Sequence, residues 1–97
     1  MPKRVDANQK VIVEAFRKRG ASVLIMSSLG KGAPDIAVGF RGETYFFEIK
    51  DGKKPLSAQK LTQCEIKFMQ EWNGHYAIIR NIEDVENFIQ MARFHII

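Results

Sequence analysis

Two acidic residues and a lysine lie where apolar segments of this chain begin and end. Asp35 precedes the apolar run at 36–40, and Glu48 and Lys50 close the segment that opens with three aromatic residues at 45–47. Side chains alternate between the two faces of a strand, so Glu48 and Lys50 share one face. Charged groups at the end of an apolar strand are costly to desolvate unless partners or ions compensate them.

A pair of carboxylates makes a hard oxygen site that suits Mg2+ or Mn2+. Such an ion polarises a phosphodiester and lowers the pKa of its bound water, which generates hydroxide near neutral pH. Lys50 would orient that water or neutralise the charge that develops at phosphorus. The pattern therefore predicts a metal-dependent nuclease.

A hairpin is predicted to bring the two acidic residues together. The two residues at 41–42 form a tight turn between apolar runs. Such a turn pairs Phe40 with Glu43 and, counted outward, places Asp35 opposite Glu48. We therefore expect the strand register itself to juxtapose the two carboxylates.

The remaining pattern predicts one mixed sheet flanked by helices. The predicted elements are a helix at 7–19, strands at 22–28, 35–40 and 43–50, a helix from 62 to near 74, a strand at 75–80 and a helix at 82–93. The polar, proline-interrupted segment 51–61 is expected to be a loop beside the site. A fourth strand reached through a crossover helix would lie parallel to its partner. The fold class is α/β or α+β, in a single domain of residues 1–97 with the order αβββαβα.

Capping patterns mark the starts of two of these helices. Asp6 followed by Gln9 predicts an N-cap with a reciprocal partner for the first helix, which stops at Gly20. Thr62 followed by Glu65 is a capping box for the helix after the third strand. Capping alone explains the acidic residue at position 65.

Glu14 lies within the first helix and has two interpretations. Apolar residues surround it in the sequence at 11–13 and 15–16, so its carboxylate is expected to be partly buried. The alternative is a surface glutamate that pairs with Lys10, Arg17 or Lys18.

Composition limits the class of protein and of partner. The chain has 97 residues and a net charge of +4, which fits one small domain that favours an anionic partner and that oligomerisation would help to stabilise. Its single cysteine excludes an intrachain disulfide and a cysteine-based zinc cluster, and it fits a reducing compartment. The sequence contains neither a membrane span nor a signal peptide, so a cytoplasmic location is expected.

Lysines near the predicted site are candidates for contact with phosphate. Lys53, Lys54 and Lys60 lie in the loop after the third strand, and Lys31 lies in the glycine-rich turn before Asp35. The alternative for the loop is a solvated basic surface, because phosphate contacts leave little motif. The turn lacks a complete phosphate-loop signature, so no nucleotide cofactor is expected.

The ordered series of motifs resembles the PD-(D/E)xK nuclease superfamily, and more closely its virus-type replication-repair nuclease (VRR-NUC) family. The resemblance covers almost the whole chain. The matching stretches are Asp6-Ala7-Asn8-Gln9 with Glu14, Gly32-Ala33-Pro34-Asp35, Phe47-Glu48-Ile49-Lys50-Asp51-Gly52, Lys60-Leu61-Thr62, and Glu71-Trp72 before Gly74.

The resemblance implies roles for individual residues. Asp35 and Glu48 would be metal ligands together with the backbone carbonyl of Ile49, and Lys50 would be the catalytic lysine. Glu14 would help to hold the metal ion or its water. Many relatives have a glutamine in the helix after the lysine, and both Gln63 and Glu65 lie near that point, with the role unassigned.

The resemblance also implies a substrate class. Small members resemble phage-type, structure-selective endonucleases that resolve Holliday junctions in branched DNA as homodimers, and such a protein would act in the cytoplasm of the host cell. The alternatives are a nuclease of flap, nicking or restriction-like preference, or a non-catalytic DNA-binding protein that retains the fold. Apolar residues at the C-terminus, Phe94, Ile96 and Ile97, would pack on the core or contribute to an interface.

Other reactive or aromatic residues are expected to be structural. His75 and His95 each lack a nearby ligand partner in the sequence. Cys64 lacks a histidine partner and is expected to be a buried, inert thiol. Trp72 follows Phe68 at helical spacing, which favours packing over base stacking.

Overall fold

One four-stranded sheet with helices on both faces makes up the protein, of which a computed structural model describes residues 7–94. The helices are α1 (Ala7–Lys18), α2 (Gln63–Glu71) and α3 (Ile82–Arg93), and the strands are β1 (Ser22–Ile25), β2 (Ile36–Phe40), β3 (Glu43–Ile49) and β4 (Tyr76–Ile79). The strand order is β1-β2-β3-β4, antiparallel except for the parallel pair of β3 and β4. This confirms a small α+β domain with a mixed sheet.

The aromatic residues of β3 divide between the two layers of the protein. Phe47 stacks on Phe16 of α1 at 5.3 Å between ring centroids and meets Phe88 of α3 edge-on at 5.0 Å. Phe46 points the other way and contacts Trp72, the residue that caps the C-terminus of α2, at 4.6 Å. The main apolar core therefore lies between the sheet and α1 with α3, while α2 covers the opposite face.

Two 3-10 helices change the predicted element order. The strand predicted at 22–28 ends at Ile25, because the chain leaves the sheet and forms a 3-10 helix at Ser27–Leu29. The segment expected to be a plain loop contains a second 3-10 helix at Leu56–Gln59, which begins after Pro55. Gln59 is buried there, donating to the Lys54 carbonyl at 2.7 Å and accepting from Arg80 Nε at 3.0 Å.

The helix ends follow the sequence signals within the described residues. The predicted capping box is present, since Glu65 N–H donates to the Thr62 hydroxyl and Thr62 N–H donates to Glu65 Oε1. Gly20, at φ +89°, follows the end of α1 as predicted. The predicted N-cap Asp6 lies outside the described residues. No described helix is both long and apolar enough to cross a membrane.

The exposure of three side chains tests predictions made from the sequence. Glu14 is exposed, as its surface alternative predicted, because the buried stripe of α1 consists of Gln9, Ile12, Val13, Ala15 and Phe16. Cys64 is exposed rather than buried, in the first turn of α2. Phe94 is 68% exposed and does not pack on the core, and His95, Ile96 and Ile97 lie outside the described residues.

Candidate active site

The β2–β3 hairpin brings Asp35 and Glu48 together. Phe40 pairs with Glu43 and Ile36 pairs with Phe47, as the turn predicted, and continuing this register sets Asp35 opposite Glu48. Asp35 N–H donates to the Phe47 carbonyl at 3.0 Å. Asp35 is 4% exposed and Glu48 is 2% exposed, so both carboxylates are removed from bulk water.

Backbone contacts fix the orientation of the Asp35 side chain. The N–H of Ile49 donates to Asp35 Oδ2 at 2.8 Å. One carboxylate oxygen of Asp35 is therefore held by the neighbouring strand, next to the residue whose carbonyl was predicted as a metal ligand. That role of the Ile49 carbonyl stays a prediction.

Lys50 lies between two carboxylates from different elements. Its Nζ donates to Glu65 Oε1 at 2.9 Å and lies 3.7 Å from Glu48 Oε2. The side chain of Lys50 is 14% exposed, so both ion pairs are shielded from solvent. Glu65 therefore does more than cap α2, because the same oxygen that accepts from Thr62 N–H also holds the lysine.

The electrostatic balance of this cluster favours a cation. Within residues 7–94, Glu48 interacts with two further carboxylates, those of Asp35 and Glu65, while one ammonium group, that of Lys50, pairs with Glu48 and Glu65. Burial, the charge of Asp35 and then that of Glu65 raise the pKa of Glu48 to about 9. Burial also opposes ionisation of Glu65, but the Thr62 N–H and then Lys50 outweigh it and lower the pKa of that carboxyl.

One atom at the centre of the cluster lacks a hydrogen-bond partner. Glu48 Oε1 is buried and accepts no hydrogen bond within the described part of the chain. An unsatisfied buried carboxylate oxygen is unfavourable by several kcal/mol unless a proton or an ion compensates it, on the order of the cost of burying an unpaired charge. The Glu48 carboxylate thus has both the chemistry and a spare oxygen for a divalent cation.

The carboxylates are not arranged as a complete ligand shell. Across residues 7–94, no three histidine, cysteine or acidic side chains form a ready metal-binding group. The described contacts give the physical reason, since Asp35 Oδ2 is engaged by a backbone N–H and Glu65 Oε1 by Lys50. Glu48 and Asp35 fit a divalent ion as hard oxygen donors, and water would supply further ligands, as Mg2+ usually requires.

Glu14 is not brought into this cluster. It lines a shallow groove of about 160 Å³ with Lys10, Arg17 and Ile25, in the surroundings that the surface alternative predicted. Polar residues earlier in α1 reach the site region instead. Asn8 Nδ2 donates to the Lys50 carbonyl at 2.8 Å, and buried Gln9 donates to the Ser27 hydroxyl at 2.8 Å.

Asn8 is not singled out by the sequence pattern as a residue that contacts the end of β3. It lies in the stretch Asp6-Ala7-Asn8-Gln9, which was assigned to helix capping. A polar residue one turn into an apolar helix can equally satisfy the carbonyls at a strand end. Asn8 does this, since its amide also lies 3.4 Å from the Arg80 carbonyl at the end of β4.

The predicted phosphate-contacting lysines are exposed in the two segments that precede Asp35 and follow Lys50 in the sequence. Lys53, Lys54 and Lys60 are all exposed in the segment between β3 and α2, and Lys31 is exposed in the turn before Asp35. Gln59 ties this segment to β4 through Arg80. Gln63 is exposed at the start of α2 and makes none of the described contacts with the cluster, which distinguishes it from Glu65.

Comparison with known proteins adds no relative. No protein-family model, curated protein or solved structure matches this chain.

Proposed function

We propose that this protein is a divalent-metal-dependent DNA endonuclease whose active site is formed by Asp35, Glu48 and Lys50. The observation that supports this most strongly is the buried Oε1 of Glu48, which has no hydrogen-bond partner among residues 7–94, beside a second carboxylate and a lysine. Carboxylate oxygens of a buried structural ion pair are usually hydrogen-bonded, whereas a cation site needs an oxygen that is free to bind the ion.

The metal ion supplies Lewis-acid chemistry when bound, activating a water and polarising the phosphodiester. Asp35 and Glu48 would hold it, each from the end of a strand, so their separation is set by the hairpin register. Positions fixed by backbone pairing need little rearrangement at the moment of reaction, which is the basis of electrostatic preorganisation.

Lys50 supplies a positive charge where the phosphate approaches. Its ammonium group stays beside the carboxylates because Glu65 holds it at 2.9 Å. In a poorly solvated site this charge stabilises the negative charge that develops on the phosphate oxygens more strongly than it would in water. Glu65 acts through Lys50 and is therefore a positioning residue.

Branched DNA is the proposed substrate, and a homodimer the proposed form. The substrate rests on the resemblance to the VRR-NUC family, on the net charge of +4 and on exposed lysines in the segments next to Asp35 and Lys50 in the sequence, and the homodimer rests on the resemblance. Two active sites related by a two-fold axis would cut two strands of a junction symmetrically. Cleavage is expected to leave 5′-phosphate and 3′-hydroxyl ends.

The experiment compares cleavage of labelled four-way junction, flap and linear duplex DNA in Mg2+, Mn2+ or EDTA. We expect cleavage of the junction with either metal and none in EDTA. Asp35→Asn should abolish cleavage while the circular dichroism spectrum is retained, because it removes a ligand but keeps the hydrogen-bond acceptor for Ile49 N–H.

Two results would contradict parts of this proposal. Failure to cleave any of the three substrates with either metal would exclude the endonuclease. Equal cleavage of linear duplex and junction would exclude selectivity for branched DNA while leaving the metal-dependent nuclease in place.

A further inference from the structure

Tyr76 carries the second buried polar atom without a partner. In the described part of the chain, only two buried side-chain oxygen or nitrogen atoms lack a hydrogen bond, Glu48 Oε1 and the Tyr76 hydroxyl. One is an acceptor and the other is a donor. Leaving both unsatisfied would destabilise the fold by roughly 1–3 kcal/mol each.

The sheet places these two groups on the same face. Tyr76 is the first residue of β4 and pairs with Phe46, while Glu48 pairs with Ile78. Phe46 and Glu48 are two residues apart on β3, so Tyr76 and Glu48 are diagonal neighbours on the side covered by α2. Side chains as long as tyrosine reach across such a diagonal.

The surroundings of the hydroxyl are acidic. The Tyr76 ring packs against Phe68 of α2 with 5.9 Å between centroids. Burial, followed by the charges of Glu48, Glu65 and Asp35, raises the pKa of Tyr76 to about 12. The hydroxyl therefore stays protonated and can donate a hydrogen bond near these acidic side chains.

We propose that Tyr76 and Glu48 together hold one buried water molecule, and that Tyr76 is thereby a positioning residue for the carboxylate cluster. Buried waters in proteins make about three hydrogen bonds to groups that would otherwise be unsatisfied. The Tyr76 hydroxyl donates to this water, and the water donates to Glu48 Oε1. The cluster would thus have a fixed solvent site before any metal ion or DNA arrives.

This positioning role goes beyond the proposed function. Its consequence for catalysis rests on that proposed function. A hydrogen-bonded outer partner that orients a ligating carboxylate typically changes metal affinity by 10–100-fold when it is removed. Tyr76→Phe deletes only the hydroxyl and keeps the ring that packs on Phe68. We therefore expect this variant to fold and to bind Mn2+ roughly tenfold more weakly.

Tyr45 provides a matched control. It is the other tyrosine of the chain, also in the sheet and 5% exposed, but on the opposite face against Phe88. Tyr45→Phe removes the same atom from the other layer. We expect Mn2+ affinity equal to that of the unmodified protein.

The experiment has two readouts on the full chain. The first is a crystal structure of the metal-free protein, in which an ordered water should lie within hydrogen-bond distance of both Tyr76 Oη and Glu48 Oε1. The second is the dissociation constant for Mn2+, measured from the electron paramagnetic resonance signal of the free ion, for the unmodified protein, Tyr76→Phe and Tyr45→Phe.

The outcomes separate this inference from the proposed function. A bridging water and a Tyr76-dependent Mn2+ affinity in a protein that cleaves no DNA would uphold the inference and contradict the nuclease. Equal Mn2+ affinity of Tyr76→Phe and the unmodified protein would overturn the positioning role, even if DNA is cleaved. Absence of water between the two atoms in the crystal would overturn the solvent site.

Discussion

Glu48 is the residue on which the site depends, because it combines nearly complete burial with an oxygen that accepts no hydrogen bond from the residues that the structure describes. Its strand neighbour Asp35 could be assigned from sequence, since hairpin pairing is determined by counting from a two-residue turn. The contact between Glu65 and Lys50 could not be predicted from sequence, because it depends on how α2 packs on the sheet. Tyr76 was missed since a lone tyrosine in an apolar strand gives the pattern of a core residue.

Metal-free protein should lose stability as the pH rises. The pKa of Glu48 is about 9 in the folded protein against 4.5 for the ordinary carboxyl, so between these values the folded state holds a proton that the unfolded state has released. The contribution of Glu48 to stability is therefore full below about pH 4.5 and declines as the pH rises toward about 9. Glu48→Gln should remove this decline, which amounts to about 3 kcal/mol at neutral pH.

Urea unfolding in EDTA at a series of pH values checks this effect. Glu43→Gln is the control, because it neutralises an exposed acid on the same strand. Parallel curves of stability against pH for the unmodified protein and Glu48→Gln would show that Glu48 is ionised in the folded protein.

Loss of Lys50 should slow catalysis far more than loss of an exposed lysine. Lys50→Ala removes the only ammonium group described as paired with the carboxylates and should lower the rate of junction cleavage at least about 100-fold, the scale for loss of one transition-state charge contact. Lys67→Ala removes an exposed lysine of α2 and should leave the rate unchanged. Single-turnover cleavage in saturating Mn2+ measures both, and equal rates for the two variants would exclude a catalytic role for Lys50.

At the scale of elements, α2 completes the candidate site that the β2–β3 hairpin forms in part. It covers the face that bears Glu48 and supplies Glu65 from its capping box. The capping box and the helix were predictable from Thr62 and Glu65, whereas the partner of Glu65 was not. The two 3-10 helices were missed because short 3-10 turns have no periodic apolar pattern to reveal them.

Gly32 should be required for α2 to pack in place. A Cβ at this position would collide with the backbone of Cys64 in α2, and its φ of +81° disfavours any other residue. Gly42 has a similar φ of +85° but open space around it. We expect Gly42→Ala to destabilise the fold by about 1 kcal/mol and Gly32→Ala by about 3 kcal/mol or more.

The difference in free energy of unfolding between Gly32→Ala and Gly42→Ala separates the effect of α2 packing from that of backbone strain. Urea unfolding midpoints of the two proteins measure it. Equal destabilisation would mean that α2 moves freely relative to the turn, and that the contact between Glu65 and Lys50 is not held by this packing.

At the scale of the whole molecule, positive charge is expected to direct DNA to the α2 side of the sheet. The net charge of the sequence predicts an anionic partner. Only the fold shows that Lys53, Lys54 and Lys60 lie in a segment that Gln59 connects to the end of β4. A segment held in this way presents its lysines at fixed positions relative to Lys50.

Replacing Lys53, Lys54 and Lys60 together by alanine should weaken junction binding and its salt dependence. The slope of log affinity against log salt should fall by roughly one for each lysine that contacts a phosphate. Lys10, Lys18 and Arg93 are exposed on α1 and α3, which cover the other face of the sheet, and replacing them makes an equal change in net charge. Equal slopes for the two triple variants, measured in EDTA by fluorescence anisotropy, would contradict a DNA surface at this segment.

Binding of Mn2+ to the unmodified protein, Glu48→Gln and Glu43→Gln tests the central claim most directly. Glu48→Gln keeps the shape of the buried side chain and is expected to fold, so a loss of affinity reports on its carboxylate. The carboxylate cluster predicts that the unmodified protein and Glu43→Gln bind Mn2+ equally well and that Glu48→Gln binds at least about tenfold more weakly. Equal binding by all three proteins, or no binding by any of them, would contradict a metal site at Glu48.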